Sequence, residues 1–402
     1  MLTESSVIRS LPLFVCLIIC ACGRSVSNNG TGGTGGSSSS STQFLITVGG
    51  VDTLVFKLDS NANLKLVQTV QSGGNTSLAL NNSPVQAPGG FVYVINPLCT
   101  GINAFSMSSG GTLTAVSGSP FLVPRSLLDS PQLGSLMVDP GSKRLYALDI
   151  GGSIVEAQMD TSTGALTFGS ASVSAGFSPQ YAAIDPAGKS IYVSQFIAGF
   201  TSTGESYAGI AGFDSDPFSG TVSLMPASPF SLTSNTQPCD IEIAPAGRFV
   251  YTALVNGDAV AAFSRDSTTG ALTQIPGSPF PTSHSPSQTC SLAIHPSGRF
   301  LYALNLNGHD ISGYSIDNNS GSLSPMAGSP FPPQSSPSDP SHTPFTQGPI
   351  AIDPSGKYLF VLTGDRYIAV YGINQTSGAL SIAGSPRSIP EPVDALNLFQ
   401  TN

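Results

Sequence analysis

The chain of 402 residues carries only 9% charged residues, and its formal net charge is −9. No cluster of basic residues interrupts that acidic balance, so nucleic acid is excluded as an expected partner. Glycine (44) and proline (32) are abundant, and a hydrophobic fraction of 40% is too high for a disordered chain. This composition predicts many short strands joined by tight turns.

Residues 1–22 predict a targeting segment that does not belong to the folded domain. The apolar stretch Leu11–Ile19 is too short to span a membrane. It ends in Ile19-Cys20-Ala21-Cys22, which resembles the lipobox of bacterial lipoproteins, in which the final cysteine is lipidated. This resemblance assigns the lipid to Cys22. An ordinary secretory signal that is cleaved nearby is the alternative.

Residues 23–42 are rich in glycine and serine and predict a flexible tether with a reach of about 25 Å. Gly23 follows the cysteine, and by analogy with lipoproteins this residue favours the outer membrane. We therefore expect a monomer in the cell envelope, on its periplasmic or surface side, that contacts the membrane only through its lipid anchor.

Residues 43–402 are built from a repeat, which is clearest in Ser291–Phe331. Its sequence is SLAIHPSGRFLYALNLNGHDISGYSIDNNSGSLSPMAGSPF, and the same pattern begins again at Ile241 and Ile350. Alternating or β-branched runs are separated by turns such as HPSG, in which proline and glycine hold turn positions. Each repeat therefore predicts four short strands.

Each of the four strand types occurs seven times from Phe44 onward. The first-type strands are predicted at Leu78–Asn81, Ser135–Val138, Tyr181–Ile184, Ile241–Ile243, Ser291–Ile294, Ile350–Ile352 and Ala395–Phe399. Because the domain begins with a second-type strand and ends with a first-type strand, its two ends complete one sheet, which removes two exposed sheet edges. The sequence predicts an all-β, seven-bladed β-propeller of four-stranded antiparallel blades, closed by the C-terminal strand in the N-terminal blade.

The repeats YALNLNGHDISGYSIDNNSGSLSPMAGSPF and YTALVNGDAVAAFSRDSTTGALTQIPGSPF are similar to the YVTN and lactonase-type propeller repeats. The resemblance covers roughly Phe44–Phe399. That family includes the propeller form of 6-phosphogluconolactonase and carboxymuconate cyclase, so the resemblance implies a lactonase activity. Propellers host unrelated functions, however, and the activity has to be argued from the site.

The two faces of such a ring differ in their connections. Turns after the first and third strands share one end, the short-turn face, where they are short and stereotyped. Connections between blades and turns after the second strand form the opposite, loop-rich face, and their lengths vary widely, as in Phe196–Ala208 and Phe331–Pro349. Elaborated loops on one face of a repeat scaffold mark the expected binding surface, with decoration without function as the alternative.

Polar residues are sparse on the loop-rich face. A glutamine recurs shortly before the inner strands, at Gln132, Gln180, Gln237, Gln288 and Gln347. These amides are expected either to bind a polar ligand or to cap the ends of the inner strands. Arg125 and Arg366 are the arginines predicted near the channel mouth, and they are candidates to bind a carboxylate or phosphate.

Asp240 and Glu205 are the acidic residues that we consider as a general base. Lactonase-type propellers often carry a P-H-x-H motif just before an inner strand. The matching positions hold Gln237 and Cys239, and one blade later Gln288 and Cys290. The resemblance therefore does not extend to this histidine pair, which counts against lactonase activity.

Three of the four histidines, His284, His309 and His342, also map to the loop-rich face. They lie in loops of different blades and lack the short-range spacing of metal ligands. We expect neither a metal site nor another cofactor.

Cys239 and Cys290 each lie six residues before the turn proline of their repeat, on adjacent blades. The cell envelope permits disulfides, so the pair is a disulfide candidate. A Cα separation beyond about 7 Å would prevent the bond.

We expect a membrane-tethered binding or interaction module of the cell envelope, whose loop-rich face recognises a polar small molecule, a glycan or a protein. The alternative is a hydrolase of the lactonase family, similar to 6-phosphogluconolactonase, that acts on sugar-acid lactones. A third interpretation is a structural envelope protein with an idle channel.

Overall fold

Seven antiparallel sheets follow one another along the computed structural model of the protein. The structure describes residues 42–49, 52–72, 84–96, 100–130, 132–141, 143–176, 179–195, 199–200, 206–207, 209–232, 236–282, 287–332, 349–363, 367–389 and 395–401. The predicted signal segment and all but the last residue of the predicted tether lie outside these residues. Within them, no helix has the length and apolar composition needed to cross a membrane.

We name the blades A to G in chain order and number the strands of each blade outward from the centre of the ring. The four strands are, for blade A, Ala395–Thr401, Thr42–Gly49, Asp52–Leu58 and Leu64–Gln71; for B, Val85–Ala87, Phe91–Asn96, Gly101–Met107 and Leu113–Ala115; for C, Leu133–Val138, Arg144–Asp149, Ser153–Met159 and Leu166–Ser174; and for D, Pro179–Ile184, Ser190–Gln195, Gly209–Ser215 and Val222–Leu224. They are, for E, Pro238–Ile243, Phe249–Leu254, Ala259–Arg265 and Leu272–Gln274; for F, Thr289–Ile294, Phe300–Asn305, Asp310–Ile316 and Leu323–Pro325; and for G, Ile350–Ile352, Tyr358–Thr363, Tyr367–Ile373 and Leu380–Ile382.

Four further short strands pair with third strands, namely Phe121–Leu122, Phe230–Ser231, Phe280–Pro281 and Arg387–Ser388. A small hairpin, Gly199–Phe200 with Ser206–Tyr207, and one 3-10 helix, Arg125–Leu127, complete the described secondary structure.

The predicted seven-bladed propeller and its closure are confirmed. The C-terminal strand pairs antiparallel with the first described strand, and Phe44 faces Phe399 in that register. One predicted strand was wrong. The inner strand of blade B is Val85–Ala87, with Val85 opposite Tyr93, whereas the predicted Leu78–Asn81 lies outside the described residues. A hairpin requires its first strand to stand directly before the turn, and the turn here is Pro88–Gly90.

Second strands are buried over most of their length, because each sheet packs against a neighbouring sheet on both faces. All six residues of Phe249–Leu254 and of Phe300–Asn305 are buried. The fourth strands are more exposed, and in Leu323–Pro325 only the leucine is buried. Continuous apolar runs therefore mark the second strands, and mixed sequences mark the rim.

Neighbouring blades are joined by a buried tyrosine from the second strand. The Tyr251 hydroxyl of blade E donates to the Gly321 carbonyl oxygen of blade F at 2.9 Å. The same bond to the next blade is made by Tyr93 to Gly164, Tyr192 to Gly270 and Tyr302 to Gly378. Burial, with a smaller effect of nearby Asp160, raises the pKa of Tyr93 to about 12, so the hydroxyl remains a proton donor at neutral pH.

The turn that accepts this bond requires glycine. Gly321 has a φ of +74°, and a Cβ atom there would lie 2.4 Å from Cδ1 of Phe249. The aromatic ring of one blade thus packs directly on the turn of the next, where no side chain fits.

The outer edge of a blade is covered by the SPF segment of the repeat. The Ser278 hydroxyl accepts the Ala262 backbone N–H at 2.9 Å, and Phe280 then pairs with Val260. The serines of the other three SPF segments make the equivalent bond, at Ser119, Ser228 and Ser329. The third strand is therefore paired along its outer side by two short segments, which leaves little continuous edge for another chain.

We expect Tyr251→Phe to lower the free energy of unfolding by about 1–3 kcal/mol, because it leaves the buried Gly321 carbonyl without its donor. Chemical denaturation followed by circular dichroism would measure this. Tyr358→Phe is the matched control, since Tyr358 is a half-buried tyrosine on a second strand whose hydroxyl makes no hydrogen bond among the described residues. Equal losses in the two variants would contradict the assigned role of the hydrogen bond.

His295 stabilises a turn on the short-turn face, at the position that Asp185 and Asp353 hold in blades D and G. Its Nε2 lies 2.9 Å from the Gly356 carbonyl oxygen, and Nδ1 accepts the Ser297 backbone N–H at 3.1 Å. Burial lowers the pKa of this imidazole below its ordinary 6.5, against a smaller opposing effect of the Gly356 carbonyl. The folded protein therefore holds His295 neutral.

Because the unfolded chain protonates this histidine more readily, stability is lost as the pH falls through the ordinary value of 6.5. We expect His295→Gln, which cannot titrate, to show a smaller drop in melting temperature between about pH 7 and pH 5 than the wild type. Melting curves at several pH values test this. Parallel pH profiles for the two proteins would refute it.

Candidate functional site

Between blades E and F, the loop-rich face carries a chain of hydrogen-bonded polar side chains. Asp258 Oδ1 accepts the backbone N–H of Ser287 at 2.6 Å, and the hydroxyls of Ser287 and Thr289 are 3.1 Å apart. The Thr289 hydroxyl donates to Asn305 Oδ1 at 2.8 Å, and Asn305 Nδ2 donates to Asp310 Oδ1 at 2.7 Å. The serine, threonine and asparagine are completely buried. This chain fixes the turn of blade E against the inner strand of blade F.

A disulfide joins the inner strands of the same two blades. The Cα atoms of Cys239 and Cys290 are 5.4 Å apart, which is within the range for a disulfide, and the sulfur atoms are 2.21 Å apart. The strand pairing of blade E shifts register between Pro238 and Ile241, next to the cysteine. The Tyr181 hydroxyl lies 3.9 Å from the sulfur of Cys290.

Asp240 connects blade E to blade F. It is completely buried, and its Oδ2 accepts the Leu292 backbone N–H of blade F at 2.8 Å. One blade later, the Ser291 hydroxyl accepts the Ile350 backbone N–H at 3.2 Å. The side chain at this repeat position therefore accepts an N–H group that the neighbouring inner strand presents, and in blade E that side chain is a carboxylate.

Glu242 is a second buried carboxylate on the same strand, and sequence reasoning missed it. It is 4% exposed and lies opposite Tyr251. The residues opposite the equivalent aromatic residue in the other described blades are Val85, Met137, Ala183, Ala293 and Ala351. Among these described positions, only blade E places a charged side chain, which could have been found by aligning the repeats by strand register.

Asp240 contacts blade F, and Glu242 lies opposite Tyr251, whose hydroxyl also reaches blade F, so both carboxylates stand on the side of the sheet that faces that blade. The Thr252 hydroxyl donates to the Asp240 backbone oxygen at 2.9 Å, and Thr252 is itself completely buried. The pair offers carboxylate oxygens that can accept a proton from water or hydrogen bonds from ligand hydroxyl groups.

Three of the predicted glutamines precede inner strands, and their backbone carbonyls form hydrogen bonds there. The carbonyls of Gln132, Gln237 and Gln288 accept the N–H groups of Ile150, Val255 and Leu306, which follow the second strands. The side chain of Gln237 accepts a hydrogen bond from Asn256 at 2.9 Å. For the side-chain amides, both capping and ligand binding stay predictions.

Arg125 is exposed in the 3-10 helix between blades B and C, away from the blades that carry the carboxylate pair. The other predicted site residues lie outside the described residues, namely Cys22, Glu205, Gln347 and Arg366, together with the side chain of Gln180. His284 and His342 do as well, and His309 lies half-buried in the turn before the third strand of blade F. In the part of the chain that the structure describes, no three His, Cys, Asp or Glu side chains are grouped to hold a metal ion.

We expect Asp240→Ala to lower the free energy of unfolding by about 1–3 kcal/mol, because the buried Leu292 N–H loses its acceptor. Asp240→Asn keeps an oxygen at that place and should remain close to the wild type. Urea denaturation of the three proteins measures the difference. If the Asn variant were as unstable as the Ala variant, the stabilising role of the hydrogen bond from Leu292 to Asp240 would be contradicted.

The fold and site define a class: a closed all-β propeller with a polar, disulfide-linked sector between two blades. Residues 209–336 match the family model of the lactonase, 7-bladed beta-propeller. This segment runs from the third strand of blade D through blade F, and it includes the polar chain, the disulfide and both carboxylates. No curated protein sequence matches the chain.

Solved structures share the fold over most of the ring. A protein of Bacteroides fragilis assigned as a 6-phosphogluconolactonase has a TM-score of 0.71 and 17% identity, with 91% of this chain and 100% of that one covered. The corresponding Bacteroides uniformis protein has a TM-score of 0.70 and 17% identity, and the match covers 89% of this chain and 99% of that one. The periplasmic gluconolactonase of Pseudomonas aeruginosa has a TM-score of 0.65 and 15% identity, and the match covers 89% of this chain and 99% of that one. These findings confirm the predicted propeller fold and the resemblance of the repeats to those of lactonase-type propellers.

Proposed function

We propose that the protein is a hydrolase of sugar-acid lactones, with its site at the carboxylate pair of blade E. The observation that carries the proposal is the position of the family match, because residues 209–336 include Asp240, Glu242 and the polar chain between blades E and F. The gluconolactonase and phosphogluconolactonase assignments of structural neighbours support the substrate class.

Lactone hydrolysis requires water to attack the ester carbonyl carbon while a base accepts its proton. The ring C–O bond then breaks, and the ring oxygen takes up a proton to give the open hydroxy acid. In our proposal the Glu242 carboxylate accepts the proton from water and returns it to the ring oxygen, so the enzyme is restored. Asp240 is a positioning residue, because its Oδ2 is held by Leu292 of the neighbouring blade.

A binding module is the second candidate. The histidine pair that the family resemblance implies is replaced by Gln237 with Cys239 and Gln288 with Cys290. One of these amides bonds within its own blade, and the two cysteines form a disulfide. These groups shape a surface but do not take up protons at neutral pH. The lipid anchor at Cys22 and the outer-membrane location stay predictions of the sequence.

The purified protein should accelerate the opening of glucono-δ-lactone or its 6-phosphate above the spontaneous rate, measured as proton release in weak buffer. Glu242→Gln removes the proposed base with little change in size. We expect it to lower kcat by about a hundredfold or more, with the melting temperature largely retained.

Asp266→Asn is the matched control. Asp266 is an exposed turn residue on the short-turn face, and blade G carries Asn374 at the equivalent position. This variant should keep the wild-type rate. A wild-type rate equal to the background would reject the hydrolase and leave the binding module. Catalysis that survives Glu242→Gln would reject the assigned base.

A further inference from the structure

On the short-turn face, equivalent positions at the joints between blades are filled in different ways. At the joint of blades D and E, Arg265 Nη2 lies 3.0 Å from Asp185 Oδ2 in a buried ion pair. Arg265 also donates to the Ser190 hydroxyl at 2.9 Å. An acid in the first turn of one blade and a base at the end of the next blade's third strand thus fill this joint.

The joint of blades E and F has apolar residues at all three places. Ala244 occupies the repeat position of Asp185, Phe249 that of Ser190, and Ile316 that of Arg265. The backbone shows this equivalence, because the N–H groups of Asp185 and Ala244 donate to the carbonyls of Ser190 and Phe249. The N–H groups of Arg265 and Ile316 likewise donate to Arg248 and Arg299.

The joint of blades F and G shows what closes such an apolar joint. Phe300 and Ile373 occupy the positions of Phe249 and Ile316, but His295 occupies the position of Ala244. The imidazole packs edge-on against Phe300, with 5.5 Å between the ring centroids, and bonds to Gly356. In the joint of blades E and F, Ala244 leaves that space open.

A cavity of about 460 Å³ occupies the open joint. Ala244, Pro245, Phe249 and Ile316 form its apolar part, and Ser297 and Asn318 contribute polar groups. This volume falls in the usual range for small-molecule sites. The cavity opens on the short-turn face, whereas the polar chain from Asp258 to Asp310 lies on the loop-rich face.

Arg248 is the ionisable group among the residues that line the cavity. Its guanidinium stands 5.3 Å from the centre of the Phe249 ring and donates to the backbone oxygens of Asn318 and Asn319 at 3.1 and 3.4 Å. A guanidinium has five N–H groups, so donors remain for a ligand. A planar carboxylate matches these donors in charge and geometry.

We propose that the joint of blades E and F is a binding site for a small organic carboxylate with an apolar, aromatic-sized body. The body enters the space that His295 fills one joint further on, and the carboxylate meets Arg248. This site is independent of the proposed lactonase activity and does not require it.

The test uses 4-fluorobenzoate as a probe, with its binding to the purified protein followed by fluorine NMR. We expect saturable binding at millimolar or lower concentration. Ala244→His fills the joint in the way the neighbouring joint is filled and should weaken binding about tenfold or more. Arg248→Gln should weaken 4-fluorobenzoate about tenfold but leave the neutral 4-fluorobenzamide unaffected.

A gain-of-function variant provides a second test. The joint of blades F and G also has an arginine above its aromatic ring, with Arg299 4.8 Å from the centre of Phe300. His295→Ala should therefore open a second site and raise the stoichiometry from one to two. No saturable binding to the wild type, or equal affinity in the wild type and Ala244→His, would overturn the proposal. Equal affinity of the wild type for benzoate and benzamide probes would overturn the role of Arg248.

Discussion

The hydrogen bond from a second-strand tyrosine to the turn glycine of the next blade is the contact on which the ring depends. A single four-stranded sheet of this sequence has apolar residues on both faces and cannot bury them alone. Each blade therefore uses its neighbour as the other half of its core. The bond fixes the neighbour's position, because a hydroxyl must meet one carbonyl and an aromatic ring must meet a glycine without a side chain. These contacts lie toward the short-turn face, so the opposite face is free to vary in loop length.

The repeat made the fold predictable from the sequence, and the phase of the repeat predicted the closing strand. Proline and glycine mark the turns, and β-branched and aromatic runs mark the second strands. The inner strand of blade B was misplaced because its turn is shorter than the other first turns: the second strand begins three positions after Pro88, but four positions after Pro245 and Pro296. Segments that pack the same way in every blade leave a periodic signal, and this one departs from it.

The candidate site was much less predictable, because its residues are exceptions to the repeat. Asp240 was noticed as an acid near a loop, although the structure places it inside a joint between blades. Glu242 passed unnoticed, because a glutamate in an alternating strand resembles an ordinary exposed residue until its register against Tyr251 is known. The histidine positions of the family hold glutamine and cysteine, and the cysteines form a covalent link between blades. If the chain hydrolyses lactones, its proton-transfer group Glu242 lies further along the inner strand than the histidine position that Cys239 occupies.

The pairing of the first and last strands also fixes where the chain enters and leaves the ring. Thr42 is the first residue of the second strand of blade A and pairs with Thr401, the last residue of the inner strand. Second strands begin on the short-turn face. Both termini of the domain therefore emerge on the same side, beneath the short turns. A domain attached to a surface through its N-terminal segment would stand on that side and direct its loop-rich face away from the surface. In such an arrangement, the orientation of the domain would follow from the closure of the ring.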